Sequence, residues 1–518
     1  MLTRINERRG GLPQLPEIGS PRPQESMENS NNNNNKKWSI YLIIGLVVVC
    51  LCIAMCLGAI VVMIAGGYLA SNNASNFVET FESALQPSAM PTRPVITPPA
   101  TPTINPLVTP KPTVASAPLD PDVAAEMLII ESQISALRGL DSVGSLSRAL
   151  LTPEELHTQV EIDFFEDYTR EEASEDVREL ALLGLLEPGY DLYQLYIDLY
   201  SEQVAGYYDP EVKQMFVIAD GDFSGPERMT YAHEYVHALQ DQHYDLRNGL
   251  MINDDYCKTN TEYCAAMTAL IEGDASIHEE NWFFNLATEE DQQDVFDFYA
   301  TYSSPVYDSA PAYLQEDFLF PYQQGAEFVN YLLAQGGPDA LTTAYTSVRP
   351  QTTEQILHPE KYPDDQPTPI YLPDVVLALG EDWLEVDRNV MGEWYTYLIL
   401  GFGAHEDARL DLDTAADAAA GWAGDGYLYL WNDTLSQPAL VWLTEWETSR
   451  DTDEFWEALI EYGQVRWGAP SDRSSDEWVW KNTVDGYIRL ERTSDNVLWL
   501  IAPDREAMDQ IRDMVGIE

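Results

Sequence analysis

The chain has 518 residues, of which 86 are acidic and 28 are basic, and its formal net charge is −58. A negative field of that strength repels phosphate backbones, so the composition argues against nucleic-acid binding. A solvated acidic surface that keeps an exposed protein soluble accounts for the charge, with recruitment of basic substrates as the alternative. The length exceeds what one compact core accommodates, and two or more folded units are therefore expected.

The N-terminal segment predicts a membrane anchor. Residues 1–37 are polar, include a run of asparagines and show no periodicity, which is typical of a disordered tail. Residues 38–70 are almost wholly apolar and long enough to span a bilayer. A secretory signal is the competing interpretation, but its apolar core runs to only about 15 residues. Lys36 and Lys37 precede the span and no Lys or Arg follows it until Arg93. The tail is therefore expected in the cytoplasm, and the rest of the chain outside the plasma membrane.

The remaining chain divides by composition. Residues 71–120 are rich in Pro, Thr, Ser and Ala, which favours extended chain and predicts a stalk. Residues 121–400 have apolar positions mainly at helical spacing, with one clear strand at 213–219. Residues 401–518 alternate short aromatic and β-branched runs with two amphipathic helices, which indicates a second α+β unit. The predicted fold class is α+β, with a small sheet in the mainly helical part.

The segment with the clearest chemistry is His233-Glu234-Tyr235-Val236-His237. On a helix the two histidines lie about 40° apart around the axis, so both imidazoles point the same way. This spacing suits two ligands of one zinc ion. Glu234, on the adjacent face, is expected to act as general base toward a water that the zinc activates.

The surroundings of this motif favour a buried helix. Ser224 and Glu227 form an S-x-x-E capping box, with proline in the first turn, which predicts that a helix starts there. Positions 231, 232, 235, 236, 238 and 239 carry no charge. The alternative, two solvent-facing histidines on a surface helix, does not explain that absence of charge.

A catalytic zinc site needs a third protein ligand, and two residues compete for that place. His243 has the spacing of the metzincin motif, but that motif requires glycine where this chain has Gln240. On an unbroken helix His243 would lie about 100° from the ligand face. Glu272 is flanked by apolar residues in a helical segment, which is unusual for a surface carboxylate, although a helix-pairing salt bridge would also account for it. Glu272 is the preferred third ligand.

With these residues the chain resembles the gluzincin clan of zinc metallopeptidases, such as thermolysin and the zinc aminopeptidases. In that clan a second helix supplies a Glu ligand, often followed by a small residue three places on, and Glu272-Gly273-Asp274-Ala275 is similar. The resemblance implies hydrolysis of peptides or proteins, with zinc bound by His233, His237 and Glu272 and with Glu234 as general base.

The resemblance implies further parts of a site. An edge strand should lie above the metal, and residues 213–219 are the candidate for it. Asp274 is expected to accept a hydrogen bond from a ligand imidazole. A downstream His or Tyr should stabilise the oxyanion. His358 is the first candidate for that role, and the others are Tyr362, His278, Tyr207 and His405. The gap between His237 and Glu272 is longer than in thermolysin, and a loop closed by a disulfide between Cys257 and Cys264 would fill it.

A second function remains open from the sequence. The chain could be a non-catalytic binding module outside the cell, with a structural or vestigial metal site and an acidic, Trp-rich ectodomain. A fourth protein ligand, such as His243 or His278, would leave no place for water and would favour that function. The oligomeric state and the identity of the substrate do not follow from the sequence.

Overall fold

The computed structural model describes residues 119–159, 168–219 and 222–517. The predicted tail (1–37), the predicted membrane helix (38–70) and all but the end of the predicted stalk lie outside these residues. Within the described part of the chain, no helix is long and apolar enough to cross a membrane.

The first part of the chain is mainly helical and contains a three-stranded sheet. Its elements in chain order are α1 (Pro121–Arg138), β1 (Ser147–Leu151), α2 (Pro153–Gln159), α3 (Arg170–Leu183), α4 (Leu192–Gln203), β2 (Gly206–Asp209), β3 (Gln214–Ile218), α5 (Gly225–Tyr244), α6 (Asp254–Cys257), α7 (Thr261–Asn285), α8 (Glu289–Thr301), α9 (Pro305–Asp308), α10 (Ala312–Thr346), α11 (Thr353–Leu357) and α12 (Val376–Leu379). Gly337, with φ of 62°, kinks α10.

The strand order of this sheet is β1-β3-β2. β3 pairs in parallel with β1 and antiparallel with β2. The predicted strand at 213–219 is thus confirmed, and it forms a hairpin with the segment before it. Its predicted place at the edge of the sheet is wrong, because β1 covers the free side of β3 and leaves β2 as the edge strand on the other side.

The second part is built on a seven-stranded antiparallel sheet. Its elements are β4 (Trp383–Asn389), α13 (Gly392–Gly401), a 3₁₀ turn (Glu406–Ala408), α14 (Leu412–Ala419), β5 (Trp422–Asn432), β6 (Gln437–Trp446), α15 (Ser449–Trp467), β7 (Asp472–Arg473), β8 (Glu477–Thr483), β9 (Gly486–Arg492), β10 (Asn496–Ala502) and α16 (Arg505–Val515). The strand order is β4-β5-β6-β10-β9-β8-β7. This sheet begins before the boundary expected at residue 401, because β4 pairs with β5 along its whole length.

The two parts share one apolar core. Buried side chains of α7 and α10 belong to the same cluster as Trp394 of α13 and Trp442 and Trp499 of the large sheet. The α+β class expected from the sequence is therefore observed, with the helical part and the sheet part packed on each other.

α7 and α10 approach each other as closely as two backbones can. A Cβ atom on Gly273 would lie 2.1 Å from the carbonyl carbon of Gly325, and one on Gly325 would lie 2.1 Å from the carbonyl oxygen of Ala269. Any side chain at either position would therefore clash with main-chain atoms. The contact brings Tyr322, about one turn before Gly325, next to the stretch of α7 that carries Glu272.

A disulfide ties the beginning of α7 to the loop before it. Cys257, at the end of α6, is bonded to Cys264 in the first turn of α7, with their Cα atoms 5.7 Å apart. Both side chains are buried. The pair expected from the sequence is therefore bonded, and the helix that carries Glu272 starts from a cross-linked loop.

Candidate metal centre

The helix that carries the motif starts where the capping box predicts. The carboxylate of Glu227 accepts hydrogen bonds from the backbone N–H of Ser224 at 3.0 Å and from its hydroxyl at 2.6 Å. These bonds satisfy groups that the first turn of α5 would otherwise leave open. From Met229 to Asp241 every residue of this helix is buried. The uncharged positions around the motif are consistent with that burial, since a helix surrounded on all sides leaves no face for solvent.

Three side chains from two helices converge at one point. The Nε2 atoms of His233 and His237 on α5 lie 3.0 Å apart. Each of them lies 3.3 Å from Oε2 of Glu272 on α7. Ligands that bind a tetrahedral zinc ion at about 2.0 Å lie about 3.3 Å from one another. The structure thus brings together the three residues predicted as ligands, in a donor set and spacing that fit zinc.

The outer nitrogen of each imidazole has its own partner. Nδ1 of His233 lies 3.0 Å from Oε2 of Glu279. Nδ1 of His237 lies 2.9 Å from Oε1 of Gln240. These contacts hold each ring so that Nε2 faces the other histidine and Glu272. Such partners of metal-binding histidines orient the ring and tune its basicity.

Asp274 was expected to accept a hydrogen bond from a ligand imidazole, but it contacts the Gln240 side chain that lies behind that imidazole. Its Oδ2 accepts from Nε2 of Gln240 at 3.1 Å, and not from either ligand imidazole. The reason is angular. Seven residues advance a helix by almost two full turns, so Glu279 lies within about 20° of Glu272, whereas Asp274 lies about 160° away around the axis.

Glu234 lies beside the cluster without a hydrogen-bond partner. Its side chain is fully buried, and neither carboxylate oxygen is hydrogen-bonded within the described residues. Burial raises the pKa of Glu234 to about 7, against the opposing effect of His237 and His233. The edge strand β2 touches it, since a Cβ on Gly206 would lie 3.5 Å from Cγ of Glu234. A carboxylate with this pKa and two uncommitted oxygens can take up and release a proton near neutral pH.

The electrostatics of the cluster favour a cation at its centre. Three buried carboxylates, those of Glu234, Glu272 and Glu279, surround the two imidazoles. Burial alone lowers the pKa of His233, but hydrogen bonds with Glu272 and Glu279 outweigh it and raise the pKa to about 10. The pKa of His237 is likewise raised, against the effect of burial, by the charge of Glu272. A divalent cation at this point would stabilise the same buried carboxylates.

Tyr322 is a candidate that sequence reasoning missed. Its ring centroid lies 6.4 Å from that of His233, and its side chain is buried. The sequence held no signal for it, because Tyr322 reaches the cluster only through the packing of α10 on α7. Its position suits a hydroxyl that donates a hydrogen bond to a substrate oxygen.

His358, predicted to stabilise the oxyanion, lies elsewhere. Its Nε2 is 2.7 Å from Oε1 of Glu393 on α13. His358 caps α11, whose first residue, Thr353, donates to Glu262 in the first turn of α7. Residues 262 and 272 are separated by about 15 Å along that helix. His358 therefore belongs to the far end of α7.

Three further candidates, His243, Tyr362 and His278, each contact a backbone carbonyl group. Nε2 of His243 lies 2.8 Å from the carbonyl oxygen of Asp141. The hydroxyl of Tyr362 donates to the carbonyl of Val348. Nδ1 of His278 lies 2.8 Å from the carbonyl oxygen of Asp274. α5 continues unbroken to Tyr244, which explains why His243 does not turn back to the ligand face.

A second group of carboxylates has ligand-like spacing. Glu354, Asp365 and Glu447 bring oxygens close together, but Nζ of Lys361 lies between them, 2.6 Å from Glu354 and 2.9 Å from Glu447. The ammonium group already supplies the positive charge there. Among the described residues the buried His233, His237 and Glu272 group is thus the better metal centre.

Comparison with known proteins bears only on the C-terminal part. A family model described as "Domain of unknown function (DUF8575)" matches residues 381–512. This match begins just before β4 and ends in α16, so it covers the seven-stranded sheet and none of the helices that carry the metal centre. No curated protein and no solved structure matches the chain.

Proposed function

We propose that this protein is a zinc-dependent metallopeptidase that hydrolyses peptide bonds in peptide or protein substrates. The observation that carries the proposal is the convergence of His233, His237 and Glu272 beside the unpaired carboxylate of Glu234. Zinc held by those three residues supplies Lewis acidity, which lowers the pKa of water and polarises a carbonyl group.

The side chains around the centre then have separate roles in the reaction. Glu234 takes a proton from the attacking water on one of its carboxylate oxygens and returns it to the leaving amine. Tyr322, whose ring centroid lies 6.4 Å from that of His233, donates a hydrogen bond to the carbonyl oxygen of the substrate as negative charge develops there. Glu279 and Gln240 hold the two imidazoles in place. Burial of the centre keeps bulk water away from these groups.

The edge strand β2 supports a peptide as the substrate. Extended peptides bind proteins by adding a strand to a sheet edge, which fixes the backbone direction. β2 is an edge strand of its sheet, and a Cβ placed on its Gly206 would lie 3.5 Å from Cγ of Glu234. A substrate backbone paired with β2 would pass the general base.

We further propose that the peptidase lies outside the plasma membrane, held by one helix over residues 38–70. The apolar span and the lysines before it support this orientation. The disulfide between Cys257 and Cys264 also supports it, because such bonds persist in oxidising compartments.

The alternative, a non-catalytic module with a filled metal site, requires a fourth protein ligand. Within the described residues, only His233, His237 and Glu272 form the buried metal-binding group. His243 and His278, the two other histidines considered for it, contact Asp141 and Asp274 instead.

The test measures metal content and peptide hydrolysis on the same purified full-length protein. We expect about one zinc per chain, turnover of casein or a peptide library, loss of turnover with a chelator, and recovery with added zinc. Protein that holds one zinc and cleaves none of these substrates would favour the binding module.

A further inference from the structure

The buried carboxylate of Asp274, behind the metal centre, accepts three hydrogen bonds from residues on three different helices. Oδ2 of Asp274 on α7 accepts from Nε of Arg138 at 2.9 Å, from Nε2 of Gln240 at 3.1 Å and from the hydroxyl of Tyr345 at 3.0 Å. The side chains of Arg138 and Asp274 are 1% and 0% exposed. Arg138 is the last residue of α1, which lies about one hundred positions before the motif.

These contacts determine which way the amide of Gln240 points. Its Nε2 also donates to the carbonyl oxygen of Ile271 at 2.9 Å. A carboxylate and a carbonyl group only accept, so the NH₂ group must lie on this side of the amide. Oε1 is therefore the atom that faces Nδ1 of His237, at 2.9 Å.

The amide in turn determines the tautomer of His237. An amide oxygen only accepts, so Nδ1 must carry the ring proton. Nε2 is then left with its lone pair, and it points at Glu272 and His233. This is the form in which an imidazole binds a metal ion.

We infer that Arg138 is a positioning residue for the zinc ligand His237, acting through Asp274 and Gln240. Its guanidinium is the main counter-charge of this buried carboxylate. In its absence Asp274 would turn toward other donors, such as His278, whose Nδ1 lies 2.9 Å from Oδ1, and Gln240 would lose its fixed orientation. Helix α1 is thereby part of the metal site. This inference rests on the proposed zinc function.

The test compares two arginines that both tie α1 to the rest of the protein. Arg138→Met removes the relay. Arg148→Met is the matched control, because Arg148 forms an ion pair with Glu131 of α1 and lies outside the relay. Zinc affinity is measured on full-length folded protein by competition with a chromophoric chelator, and the visible spectrum of the Co²⁺-loaded protein reports ligand geometry.

We expect Arg138→Met to weaken zinc binding about 10- to 100-fold and to change the Co²⁺ spectrum. Arg138→Lys, which keeps the charge, should recover part of the affinity. Arg148→Met should lower the melting temperature and leave both zinc readouts as in the wild type. Wild-type affinity and spectrum in folded Arg138→Met would overturn the inference.

A second variant covers the case in which Arg138→Met does not fold. Gln240→Met leaves the Arg138–Asp274 pair intact and cuts its link to His237, so it should weaken zinc binding over the same range. Unchanged zinc affinity in this variant would also overturn the inference. Neither readout needs peptide hydrolysis, and failure of the wild-type protein to bind zinc would instead reject the proposed function itself.

Discussion

Oε2 of Glu279 lies 3.0 Å from Nδ1 of His233, across the ring from the nitrogen that faces Glu272. Glu272 and Glu279 are seven residues apart on one helix, so a single face of α7 contacts both edges of the same imidazole. This arrangement fixes the rotation of the ring. It also assigns Glu279 a role that does not depend on the chemistry of the substrate.

Substitution of Glu279 is therefore expected to weaken metal binding. Glu279→Ala should lower zinc affinity about 10- to 100-fold, and Glu279→Gln, which can still accept from Nδ1, should lower it less. Chelator competition gives both values. Glu280→Gln, at the exposed neighbouring position on α7, is the control and should bind zinc as tightly as the wild type. Equal affinity in Glu279→Ala and the control would contradict this role.

Glu234→Gln separates metal binding from chemistry. The variant keeps the shape of the side chain but cannot accept a proton, so peptide turnover should fall about 100- to 10,000-fold. Zinc content should stay at the wild-type level, because Glu234 is not one of the three converging donors. Turnover and zinc content are measured on the same preparation, and turnover at the wild-type rate would reject Glu234 as the general base.

The identity of the third ligand is tested by a pair of alanine variants. Glu272→Ala should lose zinc affinity by more than about 100-fold, since a ligand costs more than its supporting partners. His243→Ala should keep it, because His243 contacts the carbonyl of Asp141 on the protein surface. Direct titration with zinc decides between them, and the reverse ranking would support a metzincin-like site instead.

Stability should depend on pH through a carboxyl group at the other end of α7. Burial raises the pKa of Glu262 to about 8, with the charges of Asp425 and Glu393 adding to the effect and the hydrogen bonds from Thr353 opposing it. The folded state therefore binds a proton more tightly than the unfolded state. The resulting stabilisation is complete below pH 4.5 or so and is lost as the pH rises toward 8.

Glu262→Gln should remove this dependence. At pH 8 the variant should gain stability on the order of 3 kcal/mol over the wild type, and at pH 4.5 the two should be nearly equal. Denaturant unfolding at the two pH values measures the difference. Glu457→Gln, on the exposed face of α15, is the control and should change the free energy of unfolding by the same small amount at both pH values. A gain for Glu262→Gln that is equal at both pH values would contradict the assignment.

The sequence predicted those parts of the site that depend on spacing along a single helix. The period of α5 places His233 and His237 side by side, and the apolar surroundings of Glu272 indicated a buried carboxylate. Tyr322 and His358 could not be placed in this way, because their positions depend on how α10 and α11 pack against α7. The prediction for Asp274 is wrong because two residues place it about 160° around α7 from Glu272.

In the sheets, too, the features that depend on local sequence could be predicted and those that depend on distant segments could not. The hairpin of β2 and β3 follows from the turn residues Asp209 and Pro210, and the structure contains it. β1 is a five-residue strand with no alternation in its sequence, SRALL, and its parallel pairing with β3 joins segments more than sixty residues apart. Without β1, β3 had the pattern of an edge strand. The early start of the large sheet at β4 was missed for a similar reason, since its partner β5 follows a long helical insertion.

The glycine contact between α7 and α10 has a consequence for the dimensions of the proposed metal centre. Because Gly273 meets the backbone of Gly325 directly, the distance between α7 and α10 at this crossing is set by main-chain contact. Displacements on the order of 1 Å in such a site can cost about 100-fold in rate. Two residues without side chains therefore act as the spacer between the helix that carries Glu272 and the helix that carries Tyr322.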